Sequence, residues 1–170
     1  VIFYQSSVCL QSLSNICQRP LNLALATMDK LVQVKIINAF SGASIPKGKL
    51  CSAEYDYEDA HGGFTGTTWE EHDALFLREH ASSLSFFTAE AFCYYLPAFM
   101  MAELKEPEVA DIIAEGIAFH LTDTPLVKER VSLFSRDQLL AIIAFFESAS
   151  SLGSKNNLIF FSFNSLSLIN

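Results

Sequence analysis

The seventeen residues from Thr88 to Leu104, TAEAFCYYLPAFMMAEL, limit this chain more than any other stretch. Phe92, Tyr95, Leu96, Phe99, Met100 and Glu103 recur at the three- and four-residue spacing of one helical face. Apolar residues also occupy the opposite side, and a helix that is apolar nearly all round has to be covered on every side. The stretch therefore predicts a central helix with other helices packed around it. Pro97 lies in its middle. There it removes an amide and presses on the carbonyl four residues back, which bends a helix at a cost of about 3 kcal/mol unless packing compensates. Such a bend either opens an aromatic-lined pocket or lets the helix wrap its neighbours. The apolar spacing favours the second.

The surrounding residues carry matching helix signals. Thr88 suits an N-cap, with Glu90 in the first turn. Thr68 to Glu71 and Ser135 to Gln138 fit capping boxes, and the first predicts a helix running to about His80. Pro107 suits a first helical position. Val109, Ile112, Ile113, Gly116, Ile117 and His120 share one face, as do Leu139, Ile142, Ile143 and Phe146. KLVQVKIINAF fits a strand through Val32, Val34 and Ile36, or a helix through Val32, Ile36, Ala39 and Phe40. Residues 41–66, with SGASIPKGK and HGGFTG, read as irregular. At 170 residues the chain makes one domain with a substantial core. The fold class is mostly α, a single small domain of four to five helices around a Pro-kinked central helix.

Charge divides the chain. The net charge is −8, yet all 19 acids lie between Asp29 and Glu147, against nine bases there. The flanks hold no acid at all. This places residues 1–27 outside the functional domain, 28–147 within it, and 148–170 as an appended or poorly ordered tail. The first flank lacks the basic n-region of a secretory signal, and no stretch has the roughly 18 apolar residues of a membrane span. Within the tail, Leu158 to Phe163 has the uncharged, β-prone profile of an aggregation-prone window. Four cysteines without a C-x-x-C pair support neither a disulfide framework nor a zinc site, and suit a reducing cytoplasm.

IINAF, YDYED, GGFTGTTW, SLSFFTAEAFCYYLPAFMMAEL and LFSRDQLLAIIAFFE together resemble a family of small uncharacterised bacterial proteins, a domain of unknown function. Its mark is an F-T-x-E-A-F-x-Y-Y-L-P-A-F helix, preceded by a G-x-x-W element and closed by a short F-x-x-x-Q helix. The resemblance spans about residues 29–147. It implies a mostly helical bacterial domain and turns residues 29–40 towards helix. It carries no catalytic roles.

Candidate sites follow from residue chemistry. The run EYDYEDAH offers Glu54, Asp56, Glu58, Asp59 and His61 to a divalent cation, but without the ligand spacing of a calcium loop. A solvated acidic loop is the simpler reading. Tyr55 and Tyr57 alternate with the acids, and together they would make a contact surface for a partner. His72 and His80 fall two turns apart on the predicted helix, about 12 Å by helical rise, too far to share one ion. His72 is expected to be exposed there, and His80 to sit at the helix C-terminus. His120 is expected in the core, bonded to a backbone carbonyl or to a tyrosine such as Tyr94 or Tyr95. Cys93 among aromatics reads as a small buried hydrophobe. Cys93, Tyr94, Tyr95, Pro97 and His120 are the candidates for a pocket.

Neither a nucleophile elbow nor a phosphate-binding glycine motif is present. The acidity disfavours nucleic acid and anionic membranes, and nothing in the residues calls for a cofactor or metal. The expectation is a non-catalytic cytoplasmic interaction protein, of immunity or adaptor type, that meets a basic protein partner through an acidic, tyrosine-containing surface. A small hydrolase or ligand-binding enzyme with a pocket near Pro97 and His120 is the competing reading. The oligomeric state is open.

Overall fold

A computed structural model of the chain describes residues 6–52, 62–122 and 125–151. Eight α-helices lie among them: α1 Ser6–Phe40, α2 Ala74–Glu79, α3 Ser83–Phe86, α4 Ala89–Lys105, α5 Pro107–Ala110, α6 Ile113–Thr122, α7 Val127–Leu133 and α8 Arg136–Ser151. Four of these reach ten residues or more, and the short ones are turns that connect them. A 3₁₀ turn, Trp69–Glu71, precedes α2. Among the described residues the regular structure is helical, apart from one isolated antiparallel bridge, Cys51 to Phe87.

α4 is the centre, as its composition requires. It touches α1, α2, α5, α6, α7, α8 and the 3₁₀ turn. Between Ala89 and Leu104 only Glu90 and Cys93 escape full burial. The helix runs unbroken through Pro97, whose ring is buried. Thr88 caps it, its hydroxyl accepting from the Ala91 N–H at 3.2 Å.

Residues 29–40 are helical. Val32, Ile36 and Phe40 enter the core one turn apart, and α1 packs chiefly on α8 and α4. Phe40 meets Phe134 edge-on at 6.3 Å. The helix continues through Met28 towards its N-terminus, where residues 23–28 are exposed or half-buried. At the other end α8 extends beyond Glu147 to Ser151, and Ser148 donates to Asp29 of α1. The predicted capping box on α8 is present. The Ser135 hydroxyl accepts from the Gln138 N–H, and the Gln138 carbonyl oxygen accepts from the Ser135 N–H.

Two predicted helices start or break differently. The Thr68 hydroxyl caps nothing, and the helix begins at Ala74, capped by Asp73 accepting from the Phe76 N–H. Burial of Trp69 takes the place of the predicted first turn. The run from Val109 to His120 is cut at Asp111, which adopts φ 56°. Ile112 is consequently thrown out to solvent, while Ala114 and Ala118 are buried with Ile113, Ile117, His120 and Leu121.

Candidate functional site

The 3₁₀ turn and the last two turns of α4 face each other across a cleft of about 270 Å³. Ala98, Met101, Ala102 and Lys105 form one wall, at the i, i+3, i+4, i+7 spacing of a helical face. Trp69, Glu70, His72, Asp73 and Ala74 form the other, and Ile37 of α1 closes one end. The floor is apolar. Its polar groups are Glu70, Asp73, Glu106, Lys105 and His72. Three carboxylates therefore stand against one ammonium. Two contacts hold the wall in place: the Tyr94 hydroxyl meets the backbone of Trp69, and the Asp73 carboxylate caps α2.

Behind this wall lies an aromatic cluster centred on Phe64. Its ring is fully buried and contacts His72 at 4.7 Å, Phe76 at 5.1 Å, Phe87 at 5.1 Å and Tyr95 at 4.9 Å. The Phe76 ring stacks between the two histidines, 4.6 Å from His72 and 4.1 Å from His80. The histidines expected two turns apart on one helix therefore flank a single phenylalanine, with His80 at the helix C-terminus as expected. His72 is half-buried rather than exposed, because the chain bends at its position instead of continuing as helix. It sits 3.0 Å from the Thr67 hydroxyl. Burial, ahead of the surrounding charges, lowers its pKa below the ordinary histidine value. Burial thus favours the neutral form of the imidazole that lines the cleft. Gly63 allows this packing, since a β-carbon there would meet the Phe76 ring at 2.5 Å.

The sequence candidates take separate places. Cys93 and Tyr94 line an open groove with Glu90, Ile45, Leu133 and Gln138. The Cys93 thiol donates to the Arg130 carbonyl at 3.3 Å, and burial pushes its pKa up to about 12, which keeps it a thiol. The Tyr95 hydroxyl points the other way, to the carbonyls of Phe64 and Thr67. Tyr95, Pro97 and His120 do not line the groove that Cys93 and Tyr94 share.

His120 is buried, as expected, and its Nε2 lies 3.3 Å from the Ser85 hydroxyl. Burial first, and the Arg130 charge second, pull its pKa down to about 4. Arg130 is the least anticipated residue of the core. It is fully buried, donates to the Leu84 carbonyl at 2.9 Å and the His120 carbonyl at 3.3 Å, and lies 4.0 Å over the Phe92 ring. Sequence offers no sign of this, because KERVS resembles any solvated helix face. Glu103 is buried too. It takes one bond from the Ala114 backbone, and its second carboxylate oxygen has none.

Glu54, Tyr55, Asp56, Tyr57, Glu58, Asp59 and His61 lie outside the described residues. Among the described residues, no three His, Cys, Asp or Glu side chains gather to hold a metal ion. None of the described helices is long and apolar enough to cross a membrane.

Residues 48–166 match the model of a family of unknown function (DUF6714). No curated protein and no solved structure matches the chain. The matched segment contains α2 to α8, the cleft wall from Trp69 to Ala74 and most of the C-terminal tail. Ile37, at the end of the cleft, lies before it.

Proposed function

The chain belongs to this family of unknown function, and from its geometry we propose that it is a non-catalytic interaction protein whose acid-rimmed cleft receives a basic side chain of a protein partner. The observation that carries this reading is the pairing of floor and rim. Trp69, Ala98, Met101 and Ala102 give an apolar bed, with Glu70, Asp73 and Glu106 at its edge. A lysine or arginine has the matching form, an apolar stem ending in a cation. The volume of about 270 Å³ suits one or two side chains better than a large metabolite, whose pockets run from about 300 to 1,000 Å³. The net charge of −8 draws a basic partner towards the whole molecule.

The reactive groups support a non-catalytic role. Ser85 and His120 are adjacent, but an imidazole with a pKa near 4 beside a guanidinium is a weak general base at neutral pH. Cys93 stays protonated. Cys93 is a free thiol, which accords with a reducing cytoplasm.

Trp69 is the sole tryptophan and lines the cleft, so its fluorescence reports occupancy directly. Titration with tetralysine at low salt should give a saturable change that weakens as salt is added, and tetraglutamate should give none. A flat response to tetralysine contradicts the proposal.

A further inference from the structure

The cleft does not end at Ile37. That residue is also the last member of a bare apolar row on α1, with Val34 and Leu31 preceding it at three-residue intervals. Their exposures are 44%, 54% and 62%. Single exposed apolar side chains are ordinary, but an oblique ridge of three that leads into a polar-rimmed cleft is a candidate contact surface. Val32, Ile36 and Phe40 already hold α1 to the core from its other side, so folding does not use this row. Charge differs along the surface. Glu70, Asp73 and Glu106 outnumber Lys105 at the cleft end, whereas Lys30 and Lys35 stand on the α1 part, Lys35 lining a groove with Asp137.

We propose that the row Leu31, Val34, Ile37 and the acid-rimmed cleft form one continuous docking surface for an amphipathic helix of a protein partner, basic at the end that enters the cleft and acidic along α1. The inference rests on the reading of the cleft as a cation-accepting site. Charge complementarity selects the occupant. A uniformly basic helix would place cations against Lys30 and Lys35, and a second copy of α1 would bring the same lysines together. The mode is helix on apolar face, with anchors at successive turns.

The test uses the full chain and a synthetic helical peptide of about five turns. Leucines occupy one face, lysines cluster at one end and glutamates at the other. Binding is read by anisotropy of a fluorescent label on the peptide. The expected result is saturable binding, lost when the same residues are scrambled off one face. Val34→Glu, at an exposed position that leaves the fold intact, should weaken it about tenfold or more while the tetralysine response of Trp69 is unchanged. No peptide binding, or equal affinity in the wild type and Val34→Glu, overturns the docking surface and leaves the cleft reading standing. A flat tetralysine response in the wild type removes the cleft reading itself. A photoreactive benzoylphenylalanine placed at Leu31 identifies the occupant. Cross-linking to the peptide supports the proposal. Cross-linking to a second copy, or to residues 152–170 of the same chain even with peptide present, overturns it.

Discussion

α1 has two apolar faces, and they do different things. Val32, Ile36 and Phe40 are almost fully enclosed by α4 and α8, and Gln33 and Asp29 secure the same side through the Leu104 carbonyl and Ser148. Leu31, Val34 and Ile37 are just as apolar and face outward. Apolar spacing on this segment fits a strand or a helix and says nothing about which row is covered. That depends on what the rest of the chain brings alongside, here the C-terminal half of α4 and all of α8. The difference also separates stability from recognition within one helix, because burial stabilises only the first row.

The largest expected effect is on the covered face. Phe40→Ala should destabilise the fold by about 3–5 kcal/mol, since it empties a site enclosed on all sides beside Phe134. Val34→Ala, on the bare face, should change stability by no more than about 0.5 kcal/mol. Urea unfolding of the two variants checks the pair, and equal losses would erase the distinction between the faces.

The buried core should also respond to pH. Burial, then Glu115 and Asp111, raise the Glu103 pKa to about 7, against the ordinary value near 4.5. The folded state therefore holds a proton that the unfolded chain releases earlier. The resulting stabilisation is complete below about pH 4.5 and disappears as pH rises through 7. Glu103→Gln should accordingly stabilise the protein at pH 8 by roughly 1–3 kcal/mol and make little difference at pH 4. His120 acts in the opposite sense. Its pKa is lowered to about 4, so its contribution is present above the ordinary histidine value and is lost as pH falls from about 6.5 to 4. Denaturation curves at several pH values separate the two groups, because Glu103→Gln removes only the loss on the alkaline side.

A modest gain belongs to a position with room around it. Gly116 lies inside α6, and a β-carbon there would meet nothing within 4 Å. Gly116→Ala should stabilise by about 0.5–1 kcal/mol through helix propensity and a less flexible unfolded chain. A loss on thermal unfolding would show that the open space is needed.

The legible parts of the fold are those set by local chemistry. The Thr88 cap, the Ser135–Gln138 box and the all-round apolarity of α4 each depend on residues a few positions apart. The helix predicted from Thr68 failed because Trp69 is drawn into the core and His72 is drawn to the Phe64–Phe76 cluster, contacts no local rule contains. The break at Asp111 was hidden by Ile112, which fits the helical repeat yet ends up exposed. The cleft was less legible still. Its walls come from residues 37, 69–74 and 98–106, which only the tertiary fold brings together. One element was within reach, since the G-x-x-W resemblance already marked Trp69, and Ala98, Met101, Ala102 and Lys105 share a face on any helical wheel.

The central claim is that the cleft is a cation-accepting site set by its carboxylates. The direct measurement is a charge reversal, Glu70→Lys with Asp73→Asn, followed by tetralysine titration of Trp69 fluorescence. Asparagine keeps the cap of α2, so the fold should remain. The account predicts that the response to tetralysine disappears and that one to tetraglutamate takes its place. An unchanged response to tetralysine in the folded variant would contradict it.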